Sequence, residues 1–226
     1  MKIIYLGQAG LCFKTGGKTI LVDPYLSNSV AKSQPQNYRR QPVDESFLSM
    51  KPDIIVITHN HGDHYDKETL AYYLNEESKV LFLSPLSVWA DARKAGGNGN
   101  NFVLFNCGSE WTEGDIRFRA VKAEHSDEYA IGVVISAENM NYYITGDTLY
   151  NESVFASLPE MCFDAVFLPV NGKGNNMNFT DAARFAERLK VKRVVPFHVG
   201  MFDDLTARDW RCGKKVVPQI YQEIKL

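Results

Sequence analysis

The five histidines of this chain occupy positions typical of a metal centre. Three lie in one short segment, residues 58–64, and each of the other two follows an apolar stretch that predicts a strand. One aspartate lies within the same segment, and another follows a further strand-like stretch. Imidazole and carboxylate groups are common ligands of divalent metals. The candidate metal ligands are therefore His59, His61, Asp63, His64, His125, Asp147 and His198.

The spacing within the first segment suits two neighbouring metal ions. Alternate side chains of an extended segment point the same way, so His59 and His61 can reach one ion together. Gly62 then allows the chain to turn, so that Asp63 and His64 can reach a second ion. One loop can therefore supply ligands to two adjacent sites.

The remaining candidates complete this arrangement. We expect His125 to complete the first site and His198 the second, while the two carboxylate oxygens of Asp147 can bridge the ions. Ions in such sites lie about 3.5–4 Å apart and share a water or hydroxide. The positive charge of two divalent ions exceeds the negative charge of Asp63 and Asp147, so the centre stays cationic. Such a centre lowers the pKa of its water and attracts an anionic or carbonyl-bearing substrate. No cysteine lies near these positions, which argues against a closed structural zinc site.

Length and composition limit the class of protein. A chain of 226 residues, of which 45% are apolar, predicts one globular domain over residues 1–226. The net charge of -2 favours neither nucleic acid nor an acidic membrane as a default partner. We find no signal-peptide pattern and no apolar run of membrane-spanning length, so we expect a soluble cytoplasmic protein. The four cysteines are far apart and are expected to be reduced thiols.

Short apolar stretches and turn signals predict two β-rich halves that each carry helices, which fits a two-sheet sandwich with helices outside. Strands are predicted over residues 3–6, 11–14, 19–22, 54–57, 80–83, 102–105, 116–121, 131–135, 142–145, 164–168 and 194–197. Helices are predicted over residues 67–75, 87–95 and 181–189, the last with Thr180 as N-cap. The polar segment 27–42, which contains Arg39 and Arg40, is predicted to be a loop and a candidate lid or substrate edge. The segment from residue 207 onward has no clear assignment.

The candidate ligands resemble, in type and order, those of the metallo-β-lactamase superfamily. The resemblance rests on the motif His59-x-His61-x-Asp63-His64, followed by His125, Asp147 and His198. It implies an α+β fold, a four-layer αββα sandwich with two divalent metal ions at one edge between the sheets. It also implies that one ion is bound by His59, His61 and His125, that the other is bound by Asp63, His64 and His198, and that Asp147 bridges the two. An activated hydroxide would be the nucleophile. Asp63 would be the catalytic residue that orients the hydroxide or takes part in proton transfer. The nitrogen and oxygen ligands suit zinc, manganese or iron.

Four segments are similar to the L-ascorbate-6-phosphate lactonase-like (UlaG-like) branch of that superfamily, namely residues 7–10, 21–28, 58–66 and 196–202. Members of the branch open lactone or related ester bonds of phosphorylated sugar acids, or are uncharacterised hydrolases. The resemblance implies a small anionic substrate of that kind, and the related lactonases suggest a homo-oligomer. This chain is short for the characterised lactonases.

Three further residues are candidates around the metals. Asp23 lies where the family places a carboxylate near the metal histidines, so it either fixes an imidazole tautomer or is only a turn residue before Pro24. Asn171 and Lys173 lie in a glycine- and asparagine-rich stretch between a strand and a helix. Ligand-binding loops are common at such places, and these two side chains can bind a substrate carboxylate or phosphate.

The sequence thus predicts a cytosolic metal-dependent hydrolase that opens a lactone or ester, with the ring oxygen leaving as an alcohol. The alternative is a metal-dependent phosphodiesterase or nuclease on the same dinuclear site, which the net charge disfavours. A di-iron oxidoreductase would need an electron-carrying flavin domain, for which we find no segment. A non-catalytic scaffold would not be expected to keep the complete ligand set.

Overall fold

Two six-stranded sheets form the framework of the protein, for which a computed structural model describes residues 1–226. The first sheet contains β1 (Lys2–Gly7), β2 (Gly10–Thr15), β3 (Lys18–Val22), β4 (Ile54–Val56), β5 (Leu81–Ser84) and β6 (Asn101–Leu104). The second contains β7 (Glu110–Glu113), β8 (Ile116–Lys122), β9 (Ile131–Ala137), β10 (Met140–Ile144), β11 (Phe163–Pro169) and β12 (Val191–Phe197). The helices are α1 (Val30–Ser33), α2 (Lys67–Tyr73), α3 (Leu86–Ala95), α4 (Glu152–Ser157) and α5 (Phe179–Arg188).

Strand order follows the chain in both sheets. In the first sheet, β1, β2 and β3 pair antiparallel, and β4, β5 and β6 continue in parallel with β3. In the second, β7 to β10 pair antiparallel, and β11 and β12 continue in parallel with β10. Each half therefore repeats the same plan, in which hairpins are followed by parallel strands with helices in the connections.

The alternation of side chains along each strand produces four layers, as predicted. Ile54 and Val56 of β4 face the core between the sheets, which they share with Phe167 of β11. Ile55 faces the other way and packs under α2 and α3. The outer face of the second sheet packs against α4 and α5 through residues such as Phe185. A parallel strand covered on both faces needs apolar residues throughout, which explains the unbroken apolar run at residues 54–57.

The strands that precede the candidate site residues run the same way within their sheet. These are β1, β3 and β4 in the first sheet and β8, β10, β11 and β12 in the second. Their carboxyl ends therefore meet at one edge, where loops can bring distant residues together.

Two arginines anchor the segment 27–42, which contains the short helix α1. Arg39 donates a hydrogen bond of 2.6 Å to the hydroxyl of Tyr221, and Arg40 forms an ion pair with Asp204. The segment is therefore attached to the C-terminal part of the chain at two points.

The C-terminal segment, for which the sequence predicts no element, closes one edge of each sheet. Isolated bridges join Ile4 to Glu223 and Val194 to Lys215. The segment thus lies along β1 and β12, the outermost strands at that side. Covering these edges prevents them from pairing with another chain.

Two further expectations concern the helices and the cysteines. The longest helices, α3 and α5, have ten residues each, and none of the helices has the length and apolar character needed to cross a membrane. All four cysteines are unpaired, as expected. Cys12 packs under the helices of the first sheet.

The prediction that Thr180 caps α5 is wrong. The helix begins at Phe179, and the N-cap is Asn178, whose Oδ1 accepts hydrogen bonds of 2.9 Å from the backbone N–H groups of Thr180 and Asp181. Both residue types are good N-caps, and the structure uses the earlier one. The strand β7 and the helix α4 were not predicted, because the first is largely polar and the second has only six residues.

The cap of α5 leads to a stability prediction. Replacing Asn178 by alanine is expected to lower the free energy of unfolding by about 1 kcal/mol, because two backbone N–H groups lose their acceptor. Urea denaturation of the metal-free protein measures the change. The Thr180→Ala variant is the matched control and is expected to change stability by less than about 0.5 kcal/mol. A larger loss of stability in Thr180→Ala than in Asn178→Ala would contradict the assignment of Asn178 as the N-cap.

Candidate metal centre

All seven candidate ligands lie at the shared edge, in loops that follow β4, β8, β10 and β12. Their ligand atoms form three overlapping groups, within each of which the atoms lie within 4.8 Å of one another. The first cluster is His59, His61 and His125; the second cluster is Asp63, His64 and His198; the group that joins them is His59, His64 and Asp147. The structure therefore places Asp147 between the two clusters.

Hydrogen bonds around the first cluster indicate which nitrogen of each ring faces its centre. Nδ1 of His59 lies 3.0 Å from Oγ1 of Thr58, which leaves Nε2 buried and without a partner. Nδ1 of His125 lies 3.3 Å from the backbone oxygen of Asn175, while its Nε2 lies 3.2 Å from Nδ1 of His61. The lone pairs that converge are thus those of Nε2 of His59, Nδ1 of His61 and Nε2 of His125.

In the second cluster, carboxylates surround the two histidines. Nδ1 of His64 lies 2.8 Å from Asp23, so its Nε2 faces Oδ1 of Asp147 at 3.3 Å. Nε2 of His198 lies 3.2 Å from Oδ2 of Asp63 and 3.1 Å from Oδ2 of Asp147. Asp147 therefore directs one carboxylate oxygen to each histidine.

Three atoms at the junction of the clusters are buried and form no hydrogen bond: Nε2 of His59, Nε2 of His64 and Oδ1 of Asp147, the last two of which face each other at 3.3 Å without forming one. Burying an unpaired polar atom costs free energy, so such atoms are rare in folded proteins. A divalent cation would satisfy all three at once, since imidazole and carboxylate are its usual ligands. The residues present therefore fit a metal centre.

The two clusters differ in their electrostatics. Burial lowers the pKa of His59 well below its ordinary value and also lowers the pKa of His125, so both are neutral. Burial opposes the charge of His64 and His198 as well, but neighbouring carboxylates, Asp147 foremost, raise the pKa of His64 well above its ordinary value and that of His198 to about 9. Metal ions would displace these protons, because only the neutral ring is a ligand.

Asp23 is a buried carboxylate held against the ligands. Besides its contact with His64, it accepts hydrogen bonds from the backbone N–H of Thr58 at 2.8 Å and from the Thr58 hydroxyl at 2.6 Å. Thr58 in turn faces His59. This geometry supports the interpretation in which Asp23 fixes an imidazole tautomer.

Removing the charge of Asp23 is expected to weaken metal binding. The Asp23→Asn variant is expected to bind metal about 10–100-fold more weakly, because His64 loses the carboxylate that orients it. Competition with a chromophoric chelator measures this affinity. Asp53→Asn is a matched control, since Asp53 accepts from Thr19 at the opposite end of β4. Equal affinities of the two variants would rule out the orienting role.

The stretch 171–178, predicted to bind substrate, contacts ligands of both clusters. The amide nitrogen of Asn176 donates to Oδ2 of Asp147 at 2.8 Å, and the backbone oxygen of Asn175 faces His125. Asn171, a predicted substrate residue, lies 3.0 Å from Nδ1 of His198. Lys173 projects into the cleft above, and its Nζ lies 3.6 Å from Asp203. The stretch therefore holds metal-site residues in addition to lining the cleft.

Sequence reasoning missed three residues that hold this site: Gln8, Asp127 and Asn176. Asp127 accepts from the backbone N–H of Asn60 at 3.1 Å and so joins the loop after β8 to the histidine loop. Gln8 donates to Asp63 at 2.7 Å. All three are buried polar residues. Their place just after strands that end at the shared edge was the one available signal.

A cleft of about 630 Å³ opens above the centre. Its only apolar lining residues are Val30, Tyr65 and Phe202, and the rest are amides, hydroxyls, glycines and charged groups. The two lysines that line it are each paired, Lys67 with Asp91 at 2.7 Å and Lys173 with Asp203. The cleft suits a small polar molecule, and it lacks a row of free cations for a long polyanion.

Comparison with known proteins agrees with this geometry. The family model of the beta-lactamase superfamily domain matches residues 2–198. The chain is similar to the UPF0173 metal-dependent hydrolase of Flavobacterium johnsoniae, with 29% identity over 213 residues that cover 89% of this chain and 86% of that protein.

Two solved structures share the fold across almost their whole length. Igni18, a metallo hydrolase from Ignicoccus hospitalis, has a TM-score of 0.75 and 18% identity, and the match covers 99% of this chain and 97% of that one. The isothiocyanate hydrolase from Delia radicum gut bacteria has a TM-score of 0.77 and 19% identity, with coverage of 100% and 99%. At these identities the likeness shows the fold alone.

Proposed function

Because the chain belongs to the beta-lactamase superfamily, we propose that it is a dinuclear metal-dependent hydrolase that opens a lactone or ester of a small anionic substrate. The observation that carries the proposal is the pair of ligand clusters joined through Asp147 on the floor of a polar cleft. A phosphorylated sugar acid of the kind opened by the lactonase-like branch would suit such a cleft.

The metal ions would activate water and substrate, and the protein would hold the ions in place. Two divalent ions, when bound, lower the pKa of a water molecule and polarise the substrate carbonyl. Zinc, manganese and iron all suit the donor set. The residues that would hold them are His59, His61 and His125 for one ion, Asp63, His64 and His198 for the other, and Asp147 for both.

Asp63 is our proposed residue for moving the proton. Its side chain is 15% exposed and lines the cleft, whereas Asp147 is nearly enclosed. Its carboxylate can accept a proton from the attacking water and return it to the alcohol oxygen that leaves. Contacts with Gln8 and His198 hold it in place.

Lys173 is the proposed anchor for an anionic group of the substrate. Its side chain is 65% exposed, and its contact with Asp203 is long enough for a carboxylate or phosphate to compete. Asn171 lies beside it and also lines the cleft. The second candidate function is a phosphodiesterase or nuclease on the same site, which the net charge of -2 disfavours.

Hydrolysis of a panel of sugar-acid lactones, phosphorylated and not, tests the proposal, with bis-p-nitrophenyl phosphate alongside. The protein is stripped of metal and then refilled with manganese or zinc, and metal content is measured in parallel. We expect lactone opening that requires metal and disappears in His61→Ala, because the first cluster loses one of its three ligands. Turnover of the phosphodiester alone would support the second function, and no turnover with two metals bound would refute the substrate class.

A variant of Lys173 separates anion binding from chemistry. Lys173→Ala is expected to raise KM about tenfold for phosphorylated lactones only, since one charge-assisted contact is lost. Lys190→Ala, on the surface after α5, is the matched control. An equal change of KM for both classes of lactone would remove Lys173 from the proposal.

A further inference from the structure

The turn between β1 and β2 contributes one buried amide to the site. Gln8 is 1% exposed and lines the cleft. We propose that Gln8 is a positioning residue of the second cluster, which holds Asp63 and His198 in the arrangement that takes up the second metal ion. The inference rests on the proposed dinuclear centre. It adds that Gln8 affects the affinity for only one of the two ions.

The side chain of Gln8 contacts two of the three residues of the second cluster. Its Nε2 donates a hydrogen bond of 2.7 Å to Oδ2 of Asp63. The same atom lies 3.2 Å from Nδ1 and 3.0 Å from Nε2 of His198. Nearly equal distances to both ring nitrogens place the amide against the face of the imidazole. One neutral donor therefore fixes the carboxylate and confines the ring.

The backbone of Gln8 is held against the same histidine. The backbone N–H of His198 donates to the carbonyl oxygen of Gln8 at 2.8 Å, and the Tyr5 hydroxyl donates to it at 2.9 Å. Gln8 and His198 both have left-handed backbone angles, with φ of 52° and 61°. This region is uncommon for residues other than glycine, although asparagine, aspartate and histidine adopt it more often, so the strain lies chiefly at Gln8 and persists because surrounding contacts impose it.

Packing prevents the turn from moving away. A Cβ atom on Gly7 would lie 2.5 Å from Cε of Met201, so the turn touches the loop that follows His198. The first cluster receives no contact from Gln8; its rings are held instead by Thr58, Asn175 and Ser126. A change at Gln8 should therefore act on one cluster and spare the other.

Metal titration of the Gln8→Met variant tests this selectivity. Methionine keeps the length and flexibility of the side chain but donates no hydrogen bond. We expect affinity for one ion to be unchanged and affinity for the other to fall at least about tenfold, the size of effect that follows loss of a group orienting a ligand. Gln41→Met, at an exposed position, is the matched control and should bind both ions as the wild type does. Equal loss of both ions, or loss of neither, would overturn the proposal.

A second measurement does not need metal. In the metal-free protein labelled with ¹⁵N-histidine, Gln8→Met is expected to shift the ring resonances of His198 and to leave those of His59 unchanged. Gln8→Gly removes the side chain and suits the left-handed backbone, so it keeps the test valid if the methionine variant folds poorly. Unchanged His198 resonances in both variants would overturn the contact itself. If the wild-type protein bound only one ion while His198 responded, the dinuclear function would fail and the contact would stand.

Discussion

Replacing Asp147 by asparagine is expected to lower metal-dependent hydrolysis by about a thousandfold or more. The carboxylate of Asp147 faces His64 with one oxygen and His198 with the other, and it belongs to the group that joins the two clusters. The variant keeps the size of the side chain but removes the charge that would hold both ions. A loss of about 4 kcal/mol of transition-state stabilisation corresponds to that factor, and it lies within the several kcal/mol that metal ions supply.

Metal content and turnover number measured on the same sample check this expectation. Asp164→Asn is a matched control, because Asp164 is a buried aspartate of the same sheet that accepts from Asn141 and pairs with Lys192. Its replacement is expected to lower stability, but the variant should keep both metals and full turnover. More than a tenth of wild-type turnover in Asp147→Asn would contradict a bridging role.

Replacing Phe167 by alanine is expected to lower the free energy of unfolding by about 3–5 kcal/mol. Phe167 is 0% exposed in β11, in the core shared by the two sheets. The centroid of its ring lies 6.0 Å from the ring centroid of Phe13 in the opposite sheet, and the two rings pack edge to face. Truncation would leave a cavity at the point where the sheets meet, and the rigid strands around it cannot close the gap fully.

Urea denaturation of the metal-free protein measures this loss without the stabilisation that bound metal adds. Tyr72→Ala is the matched control, since Tyr72 is an aromatic residue that is 60% exposed on α2. Its replacement is expected to change stability by less than about 0.5 kcal/mol. A loss below about 2 kcal/mol for Phe167→Ala would mean that the two sheets do not share one cooperative core.

The clusters are not equivalent, and this bears on the choice of metal. The first offers only imidazoles, while the second adds the carboxylate of Asp63. Carboxylate suits manganese better than imidazole does, and imidazole suits zinc. In the proposed dinuclear centre, the two ions would therefore have chemically different surroundings on either side of Asp147.

Much of the fold was predictable because it follows local rules. The apolar run at residues 54–57 and the turn at Gly16 and Gly17 reflect side-chain period and backbone freedom that each segment carries by itself. The same holds for the metal site, since the types of the seven candidate ligands and their places after strands can be read directly. The sequence also resembled one superfamily closely enough to imply the four-layer arrangement that the structure has.

Short elements and helix ends were less predictable. The helix α5 starts at Phe179, two residues before the predicted start, and β7 shows little apolar alternation because it is an outer strand. The segment 27–42 was predicted as a loop and a candidate lid or substrate edge because it is polar, and the contacts of its two arginines with Tyr221 and Asp204 gave no signal in its sequence. No local pattern reveals a partner so far along the chain.

The sequence by itself determined the periodicity of the strands and the chemistry available at their ends. Only the tertiary structure decided which side chains meet there. Gln8 and His198 are separated by 190 residues, and Asn176 reaches Asp147 across 29. Such contacts arise when two sheets pack and bring several loops to one edge. Their energy depends on that packing, because a buried amide or carboxylate is stabilised only by the partner that the fold places beside it.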